Sequence, residues 1–423
     1  MKKRYQSLRG ARDILPGEMP RWYLLEETAR RTFALYGFEE IRTPIVEYTE
    51  LFARSVGESS DIVSKEMYTF ARGDESMTLR PESTASVVRA FVEHSLHRQV
   101  AAGFPERYFY IGAMFRHERP QKGRQRQFHQ IGVEVLGAAE PLADAETIQM
   151  VDLFLGGLGI QERELVLNSV GDPECRPGYR ERLRQWLKPR LDRLCADCNR
   201  RYEVNPWRVF DCKVERDQQL LSDAPAMLEM LCPECERHFD QVRGILDDYE
   251  LKYRIEPRLV RGLDYYRRTV FEVLSGKLGA QNAILGGGRY DGLIAELGGP
   301  ELPAFGAAIG MERLILLLDE ALVRPAVPDV ALIALGKEGW DACVGMAHRF
   351  RIAGLATLMP LAERPMGAQL KRADKAGARF AVFVGAEELR NKSFGFKNLQ
   401  TGEQVTFEER EILERLRAGD VQR

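Results

Sequence analysis

Hydrophobic and polar residues alternate with the two-residue period of β-strands along two stretches, Tyr108 to Phe115 and Phe128 to Leu136. Earlier in the chain, apolar residues recur at helical spacing between Trp22 and Tyr36, and Gly37 follows as a C-terminal cap. The pattern predicts an amphipathic helix ahead of a pair of strands.

The second strand of this pair has two faces of different character. One face is mainly apolar and carries His129, Ile131, Val133 and Val135. The other presents an aromatic ring, an amide, a glycine and a carboxylate in a row, at Phe128, Gln130, Gly132 and Glu134. We expect the first face to pack in the core. The second suits the floor of a pocket for a small polar ligand.

The loop between the two strands, RHERPQKGRQRQ, is the densest positive stretch of the chain. Its basic residues are Arg116, Arg119, Lys122, Arg124 and Arg126, against the single acid Glu118. A run of this kind is usually the solvated tip of a hairpin. Because the following strand carries a polar face, we expect the loop to bring arginines to a phosphate instead.

A second unusual segment runs from Leu259 to Val273, LVRGLDYYRRTVFEV, and enters a strand-like pattern through an arginine and two tyrosines. A buried charge costs several kcal/mol unless it is paired or faces a cavity, so Arg261 indicates a pocket wall. Tyr265 and Tyr266 would point to opposite faces if the backbone is extended. The glycines of ILGGGRYDGL, Ile284 to Leu293, permit a close backbone approach. The alternative is a bulged hairpin with a surface arginine.

Two more segments place charged residues at predicted helix starts. MTLRPESTA reads as a short strand leading through Glu82 to Ser83 and Thr84, which are available to cap a helix from Ala85 to His94. Taken alone, Glu82 is better explained as a first-turn acid that complements the helix dipole. In AFGAAIGMERLILLL, Arg313 lies in a first helical turn, where a cation is unfavourable unless it meets an anion. A surface salt bridge to Glu312 or Asp319 is the alternative.

Between Pro173 and about Leu251 the chain becomes helical in pattern and rich in cysteine. The pairs Cys195/Cys198 and Cys232/Cys235 have the spacing of ligands to one structural zinc ion, with Cys212 as a substitute ligand. Idle or buried thiols are the alternative. A redox Cys-x-x-Cys is disfavoured because neither pair follows a strand at a helix start. Cys175 and Cys343 have no sequence partner and are expected in the core.

Pro325, Val327 and Pro328 indicate a linker, after which strands and helices alternate to the end of the chain. We therefore expect four segments: a catalytic domain in two parts, 1–172 and 252–324, an inserted domain at 173–251, and a last domain at 325–423.

Composition adds limits to this picture. The 61 Lys and Arg residues are nearly balanced by 63 Asp and Glu, so any site for a polyanion must be a local patch. No apolar run is long enough to span a bilayer and no signal-like segment opens the chain, which predicts a cytoplasmic protein without a membrane partner.

Taken together, the motifs resemble those of class II aminoacyl-tRNA synthetases, and among them the histidyl-tRNA synthetase family. TPIVE around Pro44, FRHERPQKGRQRQFHQIGVEVLG and FGAAIGMERL resemble the three class motifs. The more specific segments are LRPEST, LVRGLDYYRRTVFE and GGGRYDGL. The resemblance covers nearly the whole chain. Ser83 departs from it, since the family usually has glycine there, and the cysteine set varies within the family.

The resemblance implies an α+β catalytic domain with a mixed, mostly antiparallel sheet, an inserted mainly helical domain and a C-terminal α/β anticodon-binding domain. The implied reaction joins L-histidine to ATP, releases pyrophosphate, and then transfers histidine to the 3′ end of tRNA(His). It also implies a homodimer through the segment around Pro44, with Mg²⁺ accompanying ATP.

The resemblance also implies roles for individual residues. Arg116 and Arg261 would be catalytic and hold the α-phosphate and the histidine carboxylate. Phe128 and Arg313 would sandwich the adenine, and Arg124 would hold the terminal phosphates. For histidine, the implied ammonium ligands are Glu82, Thr84 and Gln130, and the implied imidazole contacts are Glu134 and Tyr266, with Tyr290 lining the cavity. Gln121 is a candidate contact for the tRNA acceptor end.

Two rival functions remain at this point. A silent paralogue that senses histidine as a regulatory subunit usually lacks the last domain and loses signature residues, whereas Arg116, Arg261 and Arg313 are present here. A class II synthetase for proline or threonine would have a similar last domain, but RGLDYY and GGGRYD argue against it.

Overall fold

The structure is a computed structural model and describes residues 5–57, 62–100, 104–121, 123–279 and 282–418. Lys122 of the basic loop lies outside the described residues. The chain divides into two compact units, Met1–Arg324 and Pro325–Arg423. None of the helices within the described ranges is both long and apolar enough to cross a membrane.

The strands of the first unit are β1 Glu39–Glu40, β2 Val46–Tyr48, β3 Tyr68–Arg72, β4 Glu75–Leu79, β5 Glu106–Phe115, β6 Gln127–Leu136, β7 Glu164–Ser169, β8 Tyr253–Ile255, β9 Arg267–Leu274, β10 Ala283–Arg289 and β11 Ala304–Gly310. Its α-helices are α1 Met19–Ala34, α2 Thr49–Val56, α3 Thr84–Glu93, α4 Pro141–Gly157, α5 Arg176–Leu187, α6 Ala196–Val204, α7 Glu215–Leu220, α8 Pro233–Asp248, α9 Leu293–Glu296 and α10 Met311–Leu317.

Eight of these strands form one sheet in the order β1-β5-β6-β11-β10-β9-β7-β8. The pairs β1/β5 and β7/β8 are parallel, and every other neighbouring pair is antiparallel. The predicted mixed, mostly antiparallel sheet is confirmed. Strand order differs greatly from chain order, so residues far apart in sequence meet on one sheet.

The two faces of this sheet pack against different helices. Ile131 and Val133 of β6 join Leu25 and Phe33 of α1 in the larger hydrophobic cluster, which also contains residues of α4. Tyr108 and other residues of the opposite face join α3 and α9 in a second cluster. The predicted alternation of β6 is therefore confirmed. Its polar face lies under α3, where a pocket can form.

A smaller sheet, β2-β4-β3, stands beside the large one. Its surroundings are unusually apolar for an exposed surface, because Ile45, Tyr48 and Phe70 are 46%, 63% and 44% exposed. Exposed apolar groups that lie close together mark contact surfaces more often than scattered ones do. The segment around Pro44 belongs to this surface.

Between β7 and β8 the chain forms α5 to α8, joined by short 3₁₀ segments at Lys188–Arg193, Pro206–Asp211, Leu221–Asp223 and Met227–Met230. This stretch has its own hydrophobic cluster, which includes Tyr179, Leu183 and Val209 together with most of the cysteines. We call residues 173–251 the cysteine-rich segment. Its status as a separate domain stays a prediction, since it lies within the first unit.

The second unit contains β12 Val330–Ala334, β13 Thr357–Leu358, β14 Phe380–Val384, β15 Phe394–Asn398 and β16 Gln404–Phe407, with helices α11 Gly336–Ile352, α12 Met366–Lys375, α13 Ala386–Asn391 and α14 Glu409–Ala418. The strands form one sheet in the order β13-β12-β14-β15-β16. Strand β12 pairs in parallel with both neighbours, while β15 and β16 form the predicted hairpin. The predicted α/β architecture of this unit is confirmed.

Candidate active site

The centre of the candidate site is the carboxylate of Glu134, on the polar face of β6. The hydroxyl of Thr84, at the start of α3, donates to Glu134 Oε1 at 2.7 Å. The hydroxyl of Tyr290, just after β10, donates to Oε2. Burial raises the pKa of Glu134 to about 8, and the two hydroxyl donors offset only part of the shift. An almost neutral carboxyl group therefore sits at the bottom of the site.

Glu82 lies beside it and is also buried. Its two carboxylate oxygens accept the backbone N–H groups of Thr84 at 2.7 Å and Ala85 at 3.0 Å, so Glu82 closes the N-terminus of α3. The expected cap by the side chains of Ser83 and Thr84 is wrong. The Ser83 hydroxyl contacts Thr43 Oγ1 at 3.2 Å, and that of Thr84 bonds Glu134. Burial raises the pKa of Glu82, while the backbone donors lower it.

Tyr265 and Tyr266 do not point to opposite faces, as the extended pattern predicted. Strand β9 begins only at Arg267, and the residues before it form bends and a turn. Both tyrosines are consequently buried with ring centroids 4.7 Å apart, and Tyr265 meets Tyr290 edge-on at 5.5 Å. Together the three rings form an aromatic wall beside Glu134.

Arg261 lies in the same segment and pairs with Glu272 of β9. Its guanidinium carbon is 5.8 Å from the centre of the Tyr266 ring. Gly286 makes room for it, because a Cβ at that position would fall on the guanidinium. Burial lowers the pKa of Arg261, but the charge of Glu272 outweighs this and raises it. The guanidinium is therefore held as a fixed positive charge.

Arg261 and Glu272 line a pocket of about 200 Å³, whereas the buried group around Glu134 is not part of its lining. Its lining brings together six residues singled out from the sequence, namely Arg116, Arg124, Phe128, Gln130, Arg261 and Arg313. Three carboxylates also line it, those of Glu118, Glu272 and Glu312. A pocket with four arginines is suited to a polyanion such as a triphosphate.

Each arginine of the pocket is oriented by a protein contact. Arg116 Nε donates to the carbonyl of Pro81 at 2.8 Å, and its guanidinium lies 5.2 Å from the Phe128 ring centre. Arg124 pairs with Glu118 at 3.0 Å, and Arg313 donates to the carbonyl of Ala283. Such contacts hold charged groups in place before a ligand arrives, which lowers the cost of organising them.

The remaining two residues of interest near the pocket are Gln121, in the basic loop, and Glu312, at the start of α10. Gln121 is exposed and exchanges backbone hydrogen bonds with Arg124 at 2.9 and 3.1 Å, so it forms the tip of the basic loop. Glu312 accepts from the backbone N–H of His129 at 2.9 Å and contacts its Nδ1 at 3.0 Å. The start of α10 is thereby tied to β6.

Comparisons with known proteins agree with this geometry. A profile of the family described as histidyl-tRNA synthetase matches residues 10–314, and one described as anticodon binding domain matches residues 329–419. The histidine–tRNA ligase of Syntrophotalea carbinolica is 49% identical over 398 residues, covering 94% of each chain. That of Geobacter metallireducens is 48% identical over 398 residues, covering 94% of this chain and 95% of the relative. The chain belongs to the histidyl-tRNA synthetase family.

A solved structure leads to the same family. The apo histidyl-tRNA synthetase of S. aureus aligns with a TM-score of 0.82 at 35% identity, covering 98% of this chain and all of the other. The predicted architecture of a class II catalytic unit with a helical segment and an anticodon-binding unit is thereby confirmed.

Some contacts of this member of the histidyl-tRNA synthetase family were not apparent from the sequence. Arg176, in α5, donates to the backbone carbonyl of Tyr266. Arg208, in a 3₁₀ segment, donates to the carbonyl of Arg261 at 3.0 Å and pairs with Asp264 at 2.7 Å. Both belong to the cysteine-rich segment and hold the wall of the pocket from outside. No local signal indicates them, because 53 to 90 positions separate the partners.

Tyr110 and Glu272 were also missed. Tyr110 is buried beneath Gly132, where a Cβ would collide with its ring, so the glycine of the polar face makes room for an aromatic ring. Glu272 has the alternation of an ordinary strand residue. Its pairing with Arg261 follows from the turn before β9, which the sequence pattern did not reveal.

The single four-cysteine zinc site is wrong. The two Cys-x-x-Cys pairs belong to different clusters: Cys195 and Cys198 lie with Cys212 and Asp217, whereas Cys232 and Cys235 lie with Cys175 and Asp172. The pairs are separated because one follows α5 and its 3₁₀ turn while the other begins α8. Cys212 is thus a regular member of one cluster, and Cys175 has partners after all. Cys343 is buried in the second unit, as expected.

Proposed function

We propose that the chain is a histidine–tRNA ligase. It activates L-histidine with ATP to histidyl-adenylate, releases pyrophosphate, and transfers histidine to the 3′ end of tRNA(His). The observation that carries this proposal is a buried carboxyl network around Glu134 that adjoins a pocket lined by four arginines. One part fits an imidazole and the other a triphosphate.

In this function the hydrogen-bond network around Glu134 recognises the amino acid. Glu134 and Tyr266 address the two imidazole nitrogens, and Tyr290 lines the same cavity. Glu82, Thr84 and Gln130 receive the ammonium group. In support, Gln130 has a buried Oε1 without a hydrogen-bond partner among the described residues. A site that pairs both ring nitrogens rejects amino acids without them, since its own buried polar groups would be left unpaired.

The arginines act on the nucleotide. Arg116 and Arg261 hold the α-phosphate and the histidine carboxylate, so that an oxygen of the carboxylate attacks phosphorus and pyrophosphate leaves on the opposite side. Phe128 and Arg313 hold the adenine between them, and Arg124 meets the terminal phosphates. Negative charge grows on the transferring group during this step, and fixed cations stabilise it without rearranging.

Mg²⁺ accompanies ATP in this proposal. The pocket fits the ion, because Glu118, Glu272 and Glu312 supply the carboxylate oxygens that Mg²⁺ prefers. When bound, the ion would neutralise charge on the phosphates.

The remaining parts serve the tRNA and the assembly. The first unit holds the catalytic domain, 1–172 and 252–324, and the inserted domain, 173–251. The second, 325–423, binds the anticodon, and Gln121 at the loop tip contacts the acceptor end. The enzyme is a cytoplasmic homodimer that associates through the apolar surface around Pro44. Ile45, Tyr48 and Phe70 supply this surface.

ATP–pyrophosphate exchange across the amino acids tests the proposal. Exchange is expected with L-histidine alone, and tRNA(His) charging is expected to follow. Glu134→Ala should lose histidine-dependent exchange far more than ATP affinity. Exchange with proline or threonine, or with no amino acid, would contradict the proposed function.

A further inference from the structure

Two groups of four side chains in and beside the cysteine-rich segment have the arrangement of metal ligands. We call Cys195, Cys198, Cys212 and Asp217 the tip cluster, and Asp172, Cys175, Cys232 and Cys235 the root cluster. In each group the four ligand atoms all lie within 4.8 Å of one another. Both therefore offer three thiols and one carboxylate.

The distances in the tip cluster match the edges of a tetrahedron around zinc. With Zn–S near 2.3 Å and Zn–O near 2.0 Å, the edges are about 3.8 Å between sulfurs and about 3.5 Å between sulfur and oxygen. Cys195 Sγ lies 3.8 Å from Cys212 Sγ, and Cys212 Sγ lies 3.4 Å from Asp217 Oδ2. A disulfide would need a sulfur separation of about 2.05 Å.

The tip cluster is also prepared for negative charge. Backbone N–H groups point at its sulfurs, from Cys198 to Cys195 Sγ at 3.5 Å and from Val214 to Cys212 Sγ at 3.4 Å. Asp217 is fully buried, and its Oδ1 has no hydrogen-bond partner among the described residues, since Nε of the mostly exposed Arg216 is 3.8 Å away. A buried carboxylate next to three thiols is costly unless a cation compensates it.

The root cluster joins the two ends of the cysteine-rich segment. Asp172 and Cys175 stand where the chain leaves β7, and Cys232 and Cys235 stand at the start of α8, which leads back to β8. Cys232 Sγ lies 3.9 Å from Asp172 Oδ2, and the Cys232 N–H donates to Cys175 Sγ at 3.1 Å.

We propose that the chain binds two zinc ions, one in each cluster, through three thiolates and one aspartate apiece. Thiolates select zinc over the harder divalent cations, and four protein ligands without an open position make a structural rather than a catalytic site. The tip ion folds the cysteine-rich segment, and the root ion closes its base.

The root ion also supports the pocket wall, a consequence that rests on the proposed function. Arg176 follows Cys175 directly and donates to the carbonyl of Tyr266. On the other side, the Arg268 N–H donates to the carbonyl of Gly171 at 2.8 Å, next to Asp172. An ion that fixes Asp172 and Cys175 therefore fixes the backbone that carries the imidazole contact.

The test counts metal in the purified full-length chain and in variants. The intact chain should contain about two zinc ions, Cys195→Ser and Cys232→Ser about one each, and the double variant none. Cys343→Ser is the matched control and should keep both ions. The ion kept by each single variant also reports that the chain has folded. A wild-type chain without zinc, or a wild-type chain with about one zinc ion that is absent from both single variants, would overturn the proposal.

A second measurement needs no variant. Titration of the wild-type chain with a mercurial thiol reagent, which binds thiolates and breaks their Zn–S bonds, should release one zinc ion for about every three cluster thiols modified. Four thiols for a single released ion would overturn the two-site assignment. Histidine KM in pyrophosphate exchange should rise roughly tenfold in Cys232→Ser, in line with the effect of losing a support to a binding group. If the chain had another function, the expected rise in histidine KM would not be observed, while the measured zinc contents would still be as proposed.

Discussion

Arg289 and Arg261 both pair with a carboxylate and lie beside the same pair of strands, yet Arg289 is fully buried and Arg261 is only partly buried. Arg289, at the end of β10, pairs with Asp144 and donates to Asp291 at 3.1 Å and to the carbonyl of Ala138 at 2.7 Å. Arg261 pairs with Glu272, but its Nε is buried without a hydrogen-bond partner among the described residues. It lines the pocket, and Arg289 does not.

The difference separates structural from ligand-binding charges. Arg289 has used its hydrogen-bonding capacity on the protein, so it ties β10 to α4 and has little left for a ligand. Arg261 keeps a buried donor, its Nε–H, without a partner among the described residues. A buried donor of this kind is costly unless a ligand accepts its hydrogen bond. Removing the two arginine pairs should therefore affect different measurements.

The largest effect is expected for Arg261→Ala. We expect kcat for histidine-dependent pyrophosphate exchange to fall roughly 10³-fold or more, as for other arginines that stabilise a transferring phosphoryl group. Thermal stability should change little, because the pocket already admits water. Exchange kinetics and a melting curve measure the two effects.

Arg258→Ala is the matched control, since Arg258 lies on the same segment and pairs with Glu256 near the surface. It should stay within about twofold of the wild type, as exposed pairs contribute about 1 kcal/mol or less. If both variants lost activity equally, the special position of Arg261 would be refuted.

Asp144→Asn should have the opposite effect to Arg261→Ala: it should lower the stability of the protein and leave histidine KM nearly unchanged. Its carboxylate pairs with Arg289 and contacts His238 Nε2 at 2.9 Å. Burial raises the pKa of Asp144, but Arg289 and His238 outweigh it and lower the pKa, so the group is charged at neutral pH. Leaving Arg289 partly unpaired should cost about 3–5 kcal/mol of stability, visible as a lower melting temperature.

Asp291→Asn provides the comparison for Asp144→Asn, since it removes the more exposed partner of the same arginine. A smaller loss of stability is expected. Histidine KM of the folded enzyme should stay near the wild-type value in both variants. A strong rise of KM in Asp144→Asn, with the melting temperature unchanged, would contradict the structural role of Arg289.

The sequence revealed one half of the site more fully than the other. The alternation of β6 put Gln130 and Glu134 on one face, because side chains of a strand must alternate. Arg261 was recognised as a pocket residue from the cost of burying its charge. Glu272 was not recognised as the partner of Arg261, since the turn before β9 is set by tertiary contacts and by Arg268, whose φ is +51°.

The cysteine clusters show the same limit. Spacing alone identified two pairs suited to zinc, and each pair lies in a group of side chains that could hold a metal ion. Their division between two sites was not visible, because Asp172 and Cys175 are 60 and 57 positions from Cys232 along the chain and meet it only in the fold. The aspartates were missed for the same reason, as nothing distinguishes them from surface acids.

Glu134→Gln should have a medium effect that is confined to histidine. A bound imidazole N–H favours the charged form of Glu134, and hydrogen bonds to a charged group contribute about 1.5–3 kcal/mol, so histidine KM should rise about 10- to 100-fold. ATP KM should change less than twofold, since the arginines are untouched. Exchange kinetics with either substrate varied measure both constants.

Glu106→Gln is a suitable control, because Glu106 accepts a hydrogen bond from Tyr108 at 2.6 Å on the neighbouring strand, outside the pocket. Its histidine KM should match the wild type. If Glu134→Gln raised both KM values together, Glu134 would be a structural residue like Asp144 rather than a reader of the imidazole.

The smallest expected effect is the release of protons when histidine binds. Burial raises the folded-state pKa of Glu134 to about 8, above the value of about 4.3 for a free glutamate, so the carboxyl stays protonated in this window. Its contribution to stability is complete below the unfolded pKa and is lost as pH rises towards 8. An imidazole N–H that donates to the carboxylate favours the charged form. Histidine binding near pH 8 should therefore release a fraction of a proton.

Titration calorimetry in buffers of different ionisation enthalpy measures that proton. Free histidine is mostly neutral at its imidazole at this pH, because its pKa is about 6.5, so the ligand itself contributes little. Glu134→Gln should bind histidine more weakly and without the release, while Arg258→Ala should keep it. Proton uptake by the wild type would mean that Glu134 donates to the imidazole instead, and an equal release in Glu134→Gln would place the titrating group elsewhere in the pocket.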